Sequence, residues 1–240
     1  MRFQSIVEYD GTRYTGFQSQ SSGGSIQDQI ERALKLMTQQ KIRIHAAGRT
    51  DKGVHAIGQS FHFDFNTLID SKTWVIALNK RLPGDIRIKK VIKKRDDFHA
   101  RFDSKSKIYK YIISKKELNA FQRNYMFYDK SFNLNEVKES IQDLIGTHDF
   151  FGLSKYVEGK NTIKTIYDIK IKETKNTIVF FFHGNSFLKY MVRSIMGLII
   201  EIGCSKKPKD QVRKILDTKD RSLCGKTAPA NGLYLVKVFY

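Results

Sequence analysis

The sequence is poor in cysteine and in proline. Two cysteines in 240 residues, Cys204 and Cys224, build no disulfide framework and make no Cys-x-x-Cys. Together with a charged N-terminus that fits no secretory signal, they predict reduced thiols in a cytoplasmic protein. Three prolines exclude a Pro-rich linker, and sixteen glycines without a Gly-X-Y period exclude collagen. No apolar run reaches the roughly 18 residues that a spanning helix needs, so no membrane partner is expected.

Several chemical signatures are missing too. Gly11-Thr12-Arg13-Tyr14-Thr15-Gly16-Phe17 has the glycine spacing of a phosphate loop but lacks the Lys and Ser/Thr that contact the phosphates and magnesium. No dinucleotide fingerprint, His-Glu-x-x-His or Gly-x-Ser-x-Gly occurs. The six histidines are scattered without ligand spacing. No cofactor, nucleotide or metal is therefore expected.

What is present is positive charge. Lys and Arg number 43 against 24 Asp and Glu, a formal net charge of +19. That balance favours a polyanionic partner, with nucleic acid first. The 40% hydrophobic and 12% aromatic content is enough for a folded core.

Periodicity gives an α+β pattern. Phe3–Tyr9 reads as a strand and residues 11–24 as a long polar loop. Ser25 with Asp28 fits a capping box opening a helix through Ile26, Ile30, Ala33, Leu34 and Met37. Ile42–Ala46 is a short strand. Phe61, Phe63 and Phe65 alternate with Ser60, His62 and Asp64, which predicts a half-buried strand. Ser71–Leu82 reads as a helix, and Ile86–Lys93 and Ile108–Ser114 as strands. In the second of these, Tyr109 and Tyr111 share a face. Leu134 to Ile145 reads as an amphipathic helix, and Ile163–Glu173 with Thr177–His183 as a strand pair. Phe187–Ile202 reads as the strongest helix, with Lys189 and Arg193 on one face. A shorter helix is expected from Pro208 to Leu216, and a last strand over Leu233–Phe239. The elements suggest an N-terminal half over 1–115, a connection over 116–133 and a C-terminal half over 134–240.

One segment stands out. Ala47-Gly48-Arg49-Thr50-Asp51-Lys52-Gly53-Val54-His55 sets an aspartate between two glycines, with an arginine two residues before it. Asp-Lys-Gly alone is an ordinary turn. A carboxylate near guanidinium groups stays ionised, as a nucleophile or base requires.

Residues 48–55 resemble the catalytic signature of the tRNA pseudouridine synthase A family. The resemblance extends along the chain in order. It takes in Tyr9-Asp10-Gly11-Thr12-x-Tyr14-x-Gly16-Phe17-Gln18, then Leu82-Pro83-Gly84-Asp85-Ile86 and Asp97-Phe98-His99-Ala100-Arg101-Phe102. It continues through Lys107-Ile108-Tyr109-Lys110-Tyr111, Gly146-Thr147-His148-Asp149-Phe150 and Asn185 to Arg193, and ends with Ala228-Pro229-Ala230-x-Gly232-Leu233-Tyr234-Leu235. Phe17 replaces a tryptophan common in the family, and the region around Gly159-Lys160-Asn161 is shorter.

The resemblance implies an isomerase that turns uridine into pseudouridine at about positions 38–40 of tRNA, on a nucleotide flipped from the anticodon arm. It implies a pseudouridine synthase fold: two related α+β halves sharing a continuous antiparallel sheet, flanked by helices, with a basic cleft between them. It also implies a homodimer and no cofactor or metal. Residue by residue, Asp51 is the catalytic carboxylate and Arg193 its ionic partner. Tyr109 packs on the uracil, and Arg49 takes part in flipping. Arg13 and Lys189 contact the substrate. Attack on C1′ and proton removal from C2′ are both compatible with this set. Lys89, Lys90, Lys93, Lys94, Arg95, Lys105 and Lys107 are expected to add phosphate contacts. Two other readings stay open: the same chemistry on another RNA such as ribosomal RNA, and a non-catalytic RNA-binding protein.

Overall fold

The computed structural model describes residues 1–155, 158–159 and 161–240. Lys160, in the shortened region, lies outside them. The elements in chain order are β1 (Arg2–Tyr9), α1 (Ile26–Thr38), β2 (His45–Ala46), β3 (His55–Asp64), α2 (Ser71–Asn79), β4 (Ile86–Lys94) and β5 (Ser106–Ser114). There follow β6 (Phe127–Tyr128), α3 (Lys138–Gln142), β7 (Gly146–Asp149), β8 (Ile163–Glu173), β9 (Thr177–Gly184), α4 (Met191–Gly203), α5 (Gln211–Thr218) and β10 (Leu233–Phe239).

Contacts divide the chain into two units, one of residues Met1–Lys105 with Tyr234–Tyr240 and the other of Ser106–Leu233. The sequence suggested boundaries at 115 and 133. Pairing draws the lines elsewhere, because β10 joins β3 through Tyr234–His55 and Leu235–Ala56.

In the first unit the strand order is β4-β1-β3-β10, with β2 on β3. β1 pairs antiparallel with both β3 and β4, whereas β10 runs parallel to β3. The sheet is mixed, not antiparallel as expected. A parallel neighbour arises because β10 arrives from far along the chain rather than through a hairpin. Trp74 and Leu78 of α2 are fully buried. The Trp74 ring packs 5.8 Å from Phe3 and 5.1 Å from Phe63. Ser25 caps α1 as its sequence predicts, accepting the Asp28 amide while Asp28 accepts the Ser25 amide. The helix buries Ile26, Ile30, Ala33 and Leu34, and each large aliphatic contributes about 1.5–3 kcal/mol.

The strand β3 departs from the half-buried expectation, since Ser60 and His62 are buried as deeply as Phe61 and Phe63. Their polar atoms are satisfied within the unit. The Tyr240 hydroxyl and the Gln4 amide both reach Ser60 Oγ, and the Ala100 amide donates to His62 Nδ1. Only His45–Ala46 of the expected strand 42–46 is extended with a partner.

In the second unit β5 pairs with β9, β9 with β8, and β8 with β7, all antiparallel, and β6 adds in parallel to β5. α4 is the most buried helix. It begins at Met191, not Phe187, because Tyr190 before it is left-handed with φ 62°. Lys189 therefore lies in a turn, and the expected shared helix face with Arg193 does not form. The expected helix 134–145 is broken into a 3-10 turn over Leu134–Val137 and the short α3. Pro208 precedes α5 in a turn closed by the Gln211 amide on its carbonyl, so it is not the first helical residue. Among the described residues no helix is long and apolar enough to cross a membrane, and Cys204 and Cys224 are free thiols.

Candidate active site

The first unit carries Asp51 on the loop between β2 and β3. The backbone of that loop is tied down at nearly every step. The Ala47 amide donates to Ser60 at 2.7 Å, and the Gln59 side chain donates to the Gly48 carbonyl at 2.9 Å. The Thr50 carbonyl accepts the Phe17 amide at 3.1 Å. The Thr50 hydroxyl lies 2.7 Å from the Tyr9 hydroxyl. Tyr9 is buried, and burial pushes its phenol far above the usual range, so it stays neutral. Asp51 then closes a turn by accepting the Val54 amide at 3.1 Å, with Gly53 at φ 78° supplying the left-handed step. Asp51 is half-buried, between the exposed Arg49 and Lys52.

The polar loop 11–24 is the other wall of this arrangement. Gly11 lies so close that a Cβ there would stand 2.1 Å from the Val54 carbonyl oxygen, and one on Gly16 would stand 2.9 Å from that of Thr50. The Gly11 amide donates to His55 Nδ1 at 3.1 Å, which is also 3.1 Å from Asp10 Oδ1. The His55 ring stacks on Tyr234 with centroids 4.7 Å apart. Arg13 is paired although its side chain is largely exposed. Its guanidinium meets Asp85 at 2.5 Å, the Tyr14 hydroxyl donates to the same carboxylate at 2.6 Å, and the Asp10 amide reaches the Asp85 carbonyl at 3.0 Å. Two sequence blocks some seventy residues apart (about the Arg13–Asp85 separation) are thus stitched together.

The second unit carries the remaining residues. Tyr109 is buried on β5, opposite Phe182 of β9, with the Phe187 ring edge-on at 5.1 Å. Tyr111 shares its face but is fully buried, and its hydroxyl donates to the Pro229 carbonyl at 2.9 Å. The Arg193 side chain donates from Nε to the Ala228 carbonyl at 2.8 Å, and the Ala228 amide returns a bond to the Arg193 carbonyl at 2.9 Å. Its guanidinium carbon lies 5.2 Å from the Tyr190 ring, and Lys189 Nζ lies 5.5 Å from the same ring. Both cations thus lie against the Tyr190 ring, although not along a helix.

The model of the tRNA pseudouridine synthase family matches residues 6–103 and 140–240. The chain belongs to the tRNA pseudouridine synthase family. It is 42% identical over 239 residues to the tRNA pseudouridine synthase A of Phytoplasma mali, covering 99% of this chain and 98% of the relative. Identity to the synthase A of Streptococcus uberis is 40% over 245 residues, with 100% and 98% covered. The same figure of 40%, over 243 residues, holds for a Bacillus cereus protein named tRNA pseudouridine synthase A 1, with 100% and 98% covered.

Within this family member, sequence reasoning missed the braces of the Asp51 loop. Tyr9, Gly11, Gly16 and Thr50 all fall in the matching blocks, but nothing local to each says that they touch. Of the basic residues expected to meet phosphate, several are engaged internally. Lys89 pairs with Glu8 at 3.2 Å, Arg95 pairs with Asp97 at 2.8 Å, and Lys107 is buried. Among the described residues no cluster of three or more His, Cys, Asp or Glu could hold a metal ion.

Proposed function

We propose that the chain converts uridine to pseudouridine in the anticodon arm of tRNA, at about positions 38–40, with Asp51 as the catalytic carboxylate on a flipped nucleotide. The observation that carries the reading is a single aspartate inside the family signature, on a loop whose backbone is fixed from both sides.

The reaction balances without an external reagent. The N1–C1′ bond breaks, the uracil turns, C5 bonds to C1′, the C5 proton leaves and N1 gains one. Asp51 serves this either by attacking C1′ or by taking a proton from C2′ and returning it. An ionised carboxylate suits both. Tyr109 packs on the uracil and assists departure of the C5 proton. Arg193 takes the part that the resemblance gives it, the ionic partner of the catalytic carboxylate. Arg49 fills the space that the flipped nucleotide leaves, and Arg13 and Lys189 bind the tRNA backbone. In this reading the protein works in the cytoplasm as a homodimer, with each tRNA touching both subunits, and needs no cofactor.

The test uses an unmodified tRNA transcript tritiated at uridine C5. Wild-type protein releases tritium, and pseudouridine maps to the anticodon arm. Asp51→Asn keeps its fold and its tRNA affinity and releases none. Turnover by that variant, or modification confined to another RNA, would reject the proposal.

A further inference from the structure

The turn after β4 displays a phenylalanine that folding does not bury. Phe102 is 76% exposed. A large apolar ring left in water on a floppy loop would mean little, but this loop is built to hold it. The His99 carbonyl accepts the Asp103 amide at 2.9 Å, and the Asp103 carboxylate accepts the His99 amide at 3.1 Å. His99 Nδ1 accepts the amides of Arg101 and Phe102 at 3.1 and 3.3 Å. The Ala100 carbonyl takes the Tyr240 hydroxyl at 2.9 Å, and the Ala100 amide is held by buried His62. Every residue from 99 to 103 has its backbone or side chain fixed.

The ring is also backed. The Phe102 centroid lies 4.2 Å from that of His99, with planes 32° apart. His99 in turn lies 4.7 Å from His62, and His62 stacks on His45 at 5.0 Å. One side of the phenyl group is thus supported by His99 and the histidine cluster behind it, which leaves the other side for a partner. A flat partner is favoured, since aromatic faces pair by offset stacking.

Charge narrows the partner further. The acids around the turn are already matched: Asp103 and Asp97 by Arg95, Asp64 by Arg2, and Asp96 by the N-terminal amine. Arg101, within the turn itself, is exposed; among the described residues no carboxylate lies within ion-pair distance of it, and its guanidinium carbon stands 5.9 Å from the Phe102 ring. A π-face beside an uncompensated guanidinium, on a protein of net charge +19, fits a group that carries both a flat ring and a negative charge. The geometry points to Phe102 and Arg101 as a second RNA contact, in which the base of an unpaired nucleotide stacks on Phe102 and its phosphate meets Arg101. The inference rests on the chain acting on RNA, and it adds a binding element outside the catalytic set.

The test is equilibrium binding of an unmodified tRNA transcript over a range of salt. It is made in the Asp51→Asn background so that no product forms. Phe102→Ala weakens binding about tenfold with an unchanged salt slope, as loss of one base stack predicts. Phe102→Trp retains affinity, and Phe102→Leu, apolar but not aromatic, does not. Arg101→Gln lowers the slope of log affinity against log salt by about one. Melting curves of the exposed-site variants superpose on the parent. Unchanged affinity in Phe102→Ala overturns the inference. So does a change in oligomeric state by light scattering that accounts for the loss, since the ring then faces a second copy of the chain. If wild-type protein makes no pseudouridine in tRNA, the proposed function fails instead. That outcome is separate, because the binding assay does not depend on turnover.

Discussion

The hydroxyl of Tyr9 sits 2.7 Å from that of Thr50, the residue immediately before Asp51. A strand laid down at the start of the chain thereby fixes the backbone that presents the carboxylate. Removing the phenolic oxygen in Tyr9→Phe strands the buried Thr50 hydroxyl, which costs about 1–3 kcal/mol of stability. In the proposed reaction it also loosens the catalytic loop, so kcat falls while KM for tRNA changes little. Single-turnover kinetics and thermal melting on the same preparation check both parts.

Gly11 and Gly84 both belong to blocks that match the family, yet their surroundings differ. A methyl group on Gly11 meets the Val54 carbonyl at 2.1 Å, whereas one on Gly84 meets nothing within 4 Å. Gly11→Ala must push the loop 47–55 aside. It is expected to lose about 2–4 kcal/mol and most of the activity. Gly84→Ala should keep both, and comparing the two by denaturant unfolding and tritium release tests the steric argument.

His62 gives the stability a pH dependence. Burial first, then the charges of Arg2, His99 and His45, pushes its pKa down to about 4, against a small upward pull from Asp64. Burial likewise lowers His99. The unfolded chain binds the proton near pH 6.5 and the folded one only near 4, so stability is intact above pH 6.5 and falls as the pH drops through that window. The loss by pH 4 is on the order of 3 kcal/mol for His62. Urea midpoints between pH 7 and 4.5 should show it, and His62→Gln, which keeps an acceptor for the Ala100 amide, should flatten the slope.

Arg13 and Asp85 share one ion pair but not one importance. The Arg13 side chain is largely exposed, and such pairs add little, so Arg13→Gln leaves the melting temperature unchanged. Its proposed contact with tRNA appears instead as weaker binding and a salt slope lower by about one. Asp85 also receives the hydroxyl of buried Tyr14, so Asp85→Ala costs about 1–3 kcal/mol.

Local signals in the sequence translated well into structure. The capping box at Ser25 and Asp28 forms both of its bonds, because its partners lie three residues apart. The shared face of Tyr109 and Tyr111 follows from strand periodicity alone. The failures have a common cause in distant contacts. Phe187 has helical spacing to Met191, but it packs on Tyr109 from the irregular stretch before the helix, so the period extends past the helix. Ser60 and His62 look solvent-facing until partners from Gln4, Ala100 and Tyr240 cover them. The identity of the Asp51 loop was legible through its resemblance to the family. The braces on it were not, since Tyr9 and Thr50 meet only after some forty intervening residues have folded back (about the length of the loop–helix–strand excursion).

The parallel pairing of β10 with β3 sets the order in which this protein can mature. Residues 1–105 hold four strands and two helices, yet His55 lacks its stacking partner and Lys105 its carbonyl until residues 234–239 exist. On the ribosome the first unit must therefore wait, with one edge open, while the whole second unit is synthesised. The carboxylate loop ends at His55, and the ring of Tyr234 covers that residue only then.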